Sequence, residues 1–340
     1  MKCSKLVTLC SLFLFPLTAS AQTVLTYSDH EPYGNMRTRL INDVFFKEVE
    51  KASQGRLKIE PHWGGEIAKA HTELDTINAK KVDMIMAVPE YSLKQLPLHQ
   101  LFKGFAIGPS GQKQVEKIRR IYREIPDLTQ EYERNNVKPV LIATGYPVAF
   151  FSTQKLNSLH DLKGQTWRSA SFWHRDHLKN AGANPVSSPW GKEVIEMFAK
   201  GQLHGLMVNI DSAFDIKADQ YTPYALASRE LWLGHIYPVV IDLDRWNTLS
   251  KEDQQAFERA AEVAYAKLGG MMDENFEHIL QIAKERNVKL RLLSKDEVTE
   301  WGVMSQYRNV LQTWAKEQQT KGTPNVEKVL AQMEAILNAQ

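Results

Sequence analysis

Over its first two-thirds the chain alternates short apolar runs with amphipathic helical ones, and that alternation restricts it to an α/β fold with largely parallel sheets. Residues 24–27 read as a strand. From about residue 35 to 54, Leu40, Val44, Phe45 and Val49 share one helical stripe, and Gly55 supplies the stop. Residues 56–60 alternate as a strand, a helix follows around Leu74 and Ile77, and residues 82–88 read as a buried strand. Further helices are expected near 115–125, 176–180 and 193–200, and further strands at 139–143 and 203–208.

The last third is mostly helical. Ser250-Lys251-Glu252-Asp253 is a capping signal, and the helix it opens runs to about residue 286, with Gly269 and Gly270 as its weak points. Residues 288–293 form one more strand, Ser294 to Glu297 cap another helix, and Thr323-Pro324 opens the last. The 340 residues suffice for two domains. No internal repeat and no low-complexity linker separates them, so the chain is expected to join them by crossing back and forth.

Lys2 and Lys5, the apolar run 6–17 and Thr18-Ala19-Ser20-Ala21 have the pattern of a secretory signal peptide cleaved after Ala21. The run is shorter than the roughly 20 residues a span requires, and Leu9 and Thr8 before Cys10 do not suit a lipoprotein signal. Cleavage would remove two lysines and both cysteines, Cys3 and Cys10, leaving forty basic and forty acidic residues. That balance gives no general grip on nucleic acid or anionic membrane. Thiol chemistry and metal thiolates drop out with the cysteines. An exported, soluble protein is expected.

Catalytic motifs are missing: there is no H-E-x-x-H, P-loop, G-x-G-x-x-G or G-x-S-x-G. His174 and His177, with Asp176 beside them, could share a helical face as metal ligands, but a polar helix start exposed to water is the expected reading. Asp211 and Asp215 are four apart, and a solvated helix face explains them as well as acid–base work does. No cofactor, no metal and no enzymatic activity are expected.

Residues 156–238 carry the most information. Asp161-Leu162-Lys163-Gly164-Gln165-Thr166-Trp167-Arg168 makes a D-L-K-G-x-x-W-R run. Gly182-Ala183-Asn184-Pro185-Val186, Pro189-Trp190 and the Gly201/Gly205 pair follow. Together with Phe46-Lys47-Glu48-Val49, Ser53 to Ile59 and the W-x-x-L-S-x-E-D-Q run from Trp246, these resemble the DctP-like solute-binding proteins of tripartite ATP-independent periplasmic (TRAP) transporters.

The resemblance implies the two-lobed periplasmic binding protein fold: two α/β lobes with a ligand cleft between them and a long helix spanning both. Lobe one would comprise residues 22–145 and 234–273, lobe two 146–233 and 274–340. It implies a periplasmic protein that captures a small organic acid and hands it to membrane permease subunits; a monomer is the default expectation. Arg168 holds the position of the arginine that grips the ligand carboxylate with two prongs, a geometry suited to a planar, permanently charged guanidinium. Ser171 and Trp173 follow it, and Trp190 stands where an aromatic meets the ligand. Asn209 adjoins the family's asparagine position, which holds Val208 here. Val148 replaces a basic residue of sialic-acid-binding members, so neither sialic acid nor a second anionic end is expected. Phe172, Trp232, His235 and Tyr237 add aromatic surface to the implied cleft. Glu31, Tyr33, Glu90 and Tyr91 follow strand ends of lobe one, and Glu31 or Glu90 could receive a ligand hydroxyl or amine.

Two rivals stand beside this reading: an exported enzyme acting on a small carboxylate through His174, His177 or His235, and a binding protein that feeds a sensor or an ABC permease.

Overall fold

A computed structural model describes residues 22–339; the expected leader, residues 1–21, lies outside the described residues. In chain order the strands are β1 (Thr23–Ser28), β2 (Leu57–His62), β3 (Met84–Met86), β4 (Val137–Thr144), β5 (Val148–Ser152), β6 (Thr166–Arg168), β7 (Asn184–Val186), β8 (Gly205–Asn209), β9 (Tyr224–Ala227), β10 (Ile236–Asp242) and β11 (Lys289–Leu292). They form a five-stranded sheet ordered β2-β1-β3-β10-β4 and a six-stranded sheet ordered β11-β9-β5-β8-β6-β7.

Both sheets are mixed, which corrects the expectation of largely parallel pairing. β1 pairs parallel with β2 and β3, and β6 with β7 and β8. β10 runs antiparallel to β3 and β4, and β5 antiparallel to β8 and β9. The chain crossings account for this. The parallel strands of each sheet point their C-terminal ends at the gap between sheets, whereas β5 arrives from the first sheet and β10 from the second. An arriving strand enters at the gap with its N-terminal end and must run the other way. The crossings are short: residues 145–147 link β4 to β5, and residues 228–235 link β9 to β10.

The helix expected at 35–54 forms as consecutive segments Met36–Arg39, Leu40–Phe46 and Lys47–Ala52, the middle one in π geometry. The strand expected at 82–88 is shorter, because the chain turns at Pro89. β10 was not anticipated. It holds Pro238 in a central strand, normally a contraindication, and is accommodated beside a register shift at Val239/Val240.

The helix Lys251–Glu285 is 35 residues long, about 50 Å at 1.5 Å per residue. Ser250 caps it by accepting from the Asp253 amide at 3.1 Å. Its first half packs Phe257, Ala260, Ala264 and Leu268 against the core of the first sheet, with Leu25 and Val239. Its second half packs Phe276, Ile279 and Ala283 with Phe151, Leu206 and Ala225 of the second. One helix therefore fastens both lobes along their backs and leaves the opposite strand ends free to face each other. No helix among the described residues is long and apolar enough to cross a membrane.

Candidate functional site

β6 ends at Arg168, opposite Leu206 of the parallel strand β8, which runs three residues further to end at Asn209. Arg168 is 3% exposed. Its Nη2 donates to the Ser188 carbonyl at 2.7 Å, its Cζ lies 4.9 Å from the Trp190 ring centre, and its Nε is buried with no partner. Burial and the neighbouring Arg175 push its pKa down to about 10, and no acidic group offsets them. It remains charged at neutral pH. A buried guanidinium without a counter-ion among the described residues is costly, and here one carbonyl and one ring hold it while donors are left over. Trp190 is 40% exposed, so it covers the arginine rather than packing a core.

At the second crossing, Trp232 has φ +80° and donates its indole N–H to the Lys103 carbonyl at 2.9 Å. His235 packs edge-on against Trp232 and stacks on Tyr237. Its Nδ1 is 2.8 Å from Glu90 Oε1 and its Nε2 3.2 Å from Asn209 Oδ1, so it links the two strand-end edges. Burial holds this imidazole well below its usual pKa, and a neutral ring donates to only one of those oxygens. Glu90 also contacts the ammonium of Lys103, which lies 5.5 Å above the Trp232 ring.

On the lobe-one edge, Glu31 accepts from Arg37 Nη2 at 2.8 Å and from Asn35 Nδ2 at 2.5 Å. Arg37 is buried, grips Asp29 with two bonds at 2.6 and 3.0 Å, and sits 4.9 Å from the Tyr237 ring. Tyr91 packs against His30 and His71, and burial pushes its hydroxyl up to about 12. Tyr33 is exposed and donates to Asp43 at 2.7 Å.

Contacts join Asn209, Trp232 and Glu90 around His235; Arg168 and Trp190 form a separate pair on lobe two, and Glu31 and Tyr91 lie on lobe one. Ser171 begins the helix Phe172–Asn180, its hydroxyl buried without a partner. Trp173 does not join them. It is buried against Phe172, Trp314 and Gly104, in the core, because its helix turns that face inward. Tyr237 is buried beneath Arg37.

His174 and His177 correct the expectation of a solvated helix start. Both are buried, 6.1 Å apart, and desolvation lowers both, His177 to about 3. No group of three or more side chains suited to a metal occurs among the described residues. Asp211 is half-buried, its pKa pushed up to about 7 chiefly by desolvation, while Asp215 is exposed. Val148 is buried within β5. Sequence reasoning missed Arg37, Lys103 and Ser188. Nothing in their local sequence marks them: Arg37 pairs across a turn with Asp29 and Glu31, Lys103 meets Glu90 and Trp232, and Ser188 offers only its backbone carbonyl to Arg168.

A family model described as bacterial extracellular solute-binding protein, family 7 (DctP) matches residues 35–328. Among solved structures, the chain is similar to a TRAP periplasmic solute-binding protein from Desulfovibrio salexigens DSM2638, with 19% identity, 94% of this chain and 98% of that one covered, and a TM-score of 0.79. It is similar to a TRAP solute-binding protein from Rhodoferax ferrireducens T118 in complex with copurified benzoate (15% identity, 93% and 98% covered, TM-score 0.76). A third is DctP6, a Bordetella pertussis extracytoplasmic solute receptor binding pyroglutamic acid (18%, 92% and 99%, TM-score 0.72).

Proposed function

The chain belongs to the family-7 bacterial extracellular solute-binding proteins, and from that premise we propose that it captures one small organic acid between its lobes and delivers it to the membrane subunits of a TRAP transporter. Export through a leader cleaved after Ala21, action in the periplasm and a monomeric state belong to the same reading. One observation carries it: Arg168, buried at the end of β6, has no anionic partner of its own among the described residues. A carboxylate would occupy its free donors, and the two charges would be satisfied together. The benzoate and pyroglutamate named for two similar proteins are acids of a size that one such anchor can hold.

Closure follows from differential binding. A ligand that touches only Arg168 favours neither the open nor the closed form; one that also reaches Trp232, His235 or Glu31 favours the closed form by the free energy of those added contacts. Calorimetry with a panel of organic acids and their primary amides tests the reading. The acid of the best pair should bind at least about a hundredfold more tightly than its amide, as expected for two charge-assisted bonds at roughly 1.5–3 kcal/mol each. Arg168→Gln should abolish that preference. Equal affinity for acid and amide, or turnover of the bound acid, would contradict it.

A further inference from the structure

The lobe-one wall carries the opposite charge to Arg168. Asp29, Glu31 and Glu73 surround His30: its Nδ1 lies 3.7 Å from Asp29 Oδ1 and 3.6 Å from Glu73 Oε1, and its Nε2 lies 3.8 Å from Glu31 Oε1. None of these is a hydrogen-bond length. Among the described residues Arg37 is the one lysine or arginine paired into this group, and it is spent on Asp29 and Glu31. The nearby Lys103 is paired with Glu90. Three carboxylates therefore lie around His30, and the guanidinium pairs with two of them.

Glu73 is the odd member. It is 1% exposed, and no side chain among the described residues hydrogen-bonds either of its oxygens, only the backbone amides of residues 71–73 bearing on the carboxylate; His30 Nδ1 has no partner. Burial pushes Glu73 up to about 7 and holds His30 below its usual range, so the imidazole does not supply the missing charge. The rings of Tyr91 and His71 enclose one side. Glu31 is the open end of the group, its side chain 34% exposed. Its field also raises Asp211 and Asp215, which follow β8 on the other lobe. Carboxylates from both lobes thus bear on the region around Glu31.

We propose that this wall takes an ammonium group of the same ligand whose carboxylate meets Arg168, so that the solute is an amino-carboxylate with separated charges. The inference rests on the carboxylate reading above and adds the chemistry of the ligand's other end. An ammonium offers three donors and a full positive charge. It would bond Glu31 and His30 Nε2 and balance the charge that Glu73 carries when it ionises. A hydroxyl would satisfy one acceptor and leave the charge unbalanced, and a second carboxylate would be repelled.

The test is calorimetry with three homologous series of three to six carbons: ω-amino acids, ω-hydroxy acids and unsubstituted acids. At the best chain length the amino acid should bind at least about tenfold more tightly than the unsubstituted acid, one close charge pair in a partly desolvated site. Glu31→Gln, which keeps shape and most hydrogen bonding, should reduce that advantage severalfold and leave the unsubstituted acid nearly unchanged. Glu73→Gln should reduce it as well. Unsubstituted or hydroxy acids that bind as tightly as amino acids at every length would overturn the inference and leave the carboxylate reading standing, as would an amino preference that survives both substitutions. No binding in any series would remove both.

Discussion

Arg168 stands in a different energetic position from the other buried arginine, Arg37. Arg37 has two carboxylates on its guanidinium, whereas Arg168 has a carbonyl and an indole face. Removing an unpaired buried charge relieves the folded state, so Arg168→Met should raise the stability of the unliganded protein by about 1–2 kcal/mol in urea unfolding. A loss of stability would mean that the charge is already compensated. Glu73 gives a pH signature. Its pKa is about 7 when folded against an ordinary 4.5, so the folded state holds more protons in that window and loses stability as pH rises through it, by about 3 kcal/mol in full. The buried His174, His177 and His235 are shifted downward and act oppositely, costing stability as pH falls below about 6.5. The difference between wild type and Glu73→Gln isolates the one group: the variant should gain on wild type by about 3 kcal/mol between pH 4 and 8. A pH-independent difference would contradict the shift. At this scale the sequence carried the identity of Arg168 through its motif. It did not carry the arginine's desolvation, which depends on Ser188 and Trp190, some twenty residues on. It misjudged His174 and His177 because two polar side chains on a helix look alike whether that face meets water or Trp232.

Elements were legible where a local signal sufficed. Ser250 and Ser294 cap their helices as their sequences indicate, each accepting from the amide three residues on. β10 was hidden by Pro238, and the direction of β5 and β10 depends on chain crossings that no local pattern records. The paired Gly269 and Gly270 show the same limit within one helix. Both look like weak points in sequence, yet a Cβ at Gly269 would lie 2.5 Å from the backbone of Gln112, while one at Gly270 would meet nothing. Gly269 lets the long helix lie directly on the start of the helix Gly111–Glu124. Gly269→Ala should therefore destabilise by about 1–3 kcal/mol through overpacking, and Gly270→Ala should stabilise by up to about 1 kcal/mol through helix propensity. Thermal melts of the two variants check this; shifts of the same sign would show that the helix crossing tolerates a side chain.

At the scale of the whole molecule, two sheets share one long helix at the back and two short crossings in the middle, and their C-terminal strand edges face each other. The sequence indicated this arrangement through the absence of a flexible linker and through motifs spread over most of the chain. The opposed charges of the two edges emerged only in three dimensions, because Asp29, Glu73 and Arg37 converge from separate segments. The function assigned to the molecule requires that an acid bind where the lobe-two guanidinium is left without a partner. The most direct measurement is a crystal structure of the protein with its tightest-binding carboxylate. It should show a carboxylate joined to both terminal nitrogens of Arg168 at about 2.7–2.9 Å, with the remainder of the ligand directed at Glu31 and His235. A carboxylate held elsewhere, with Arg168 still bonded only to Ser188, would contradict it.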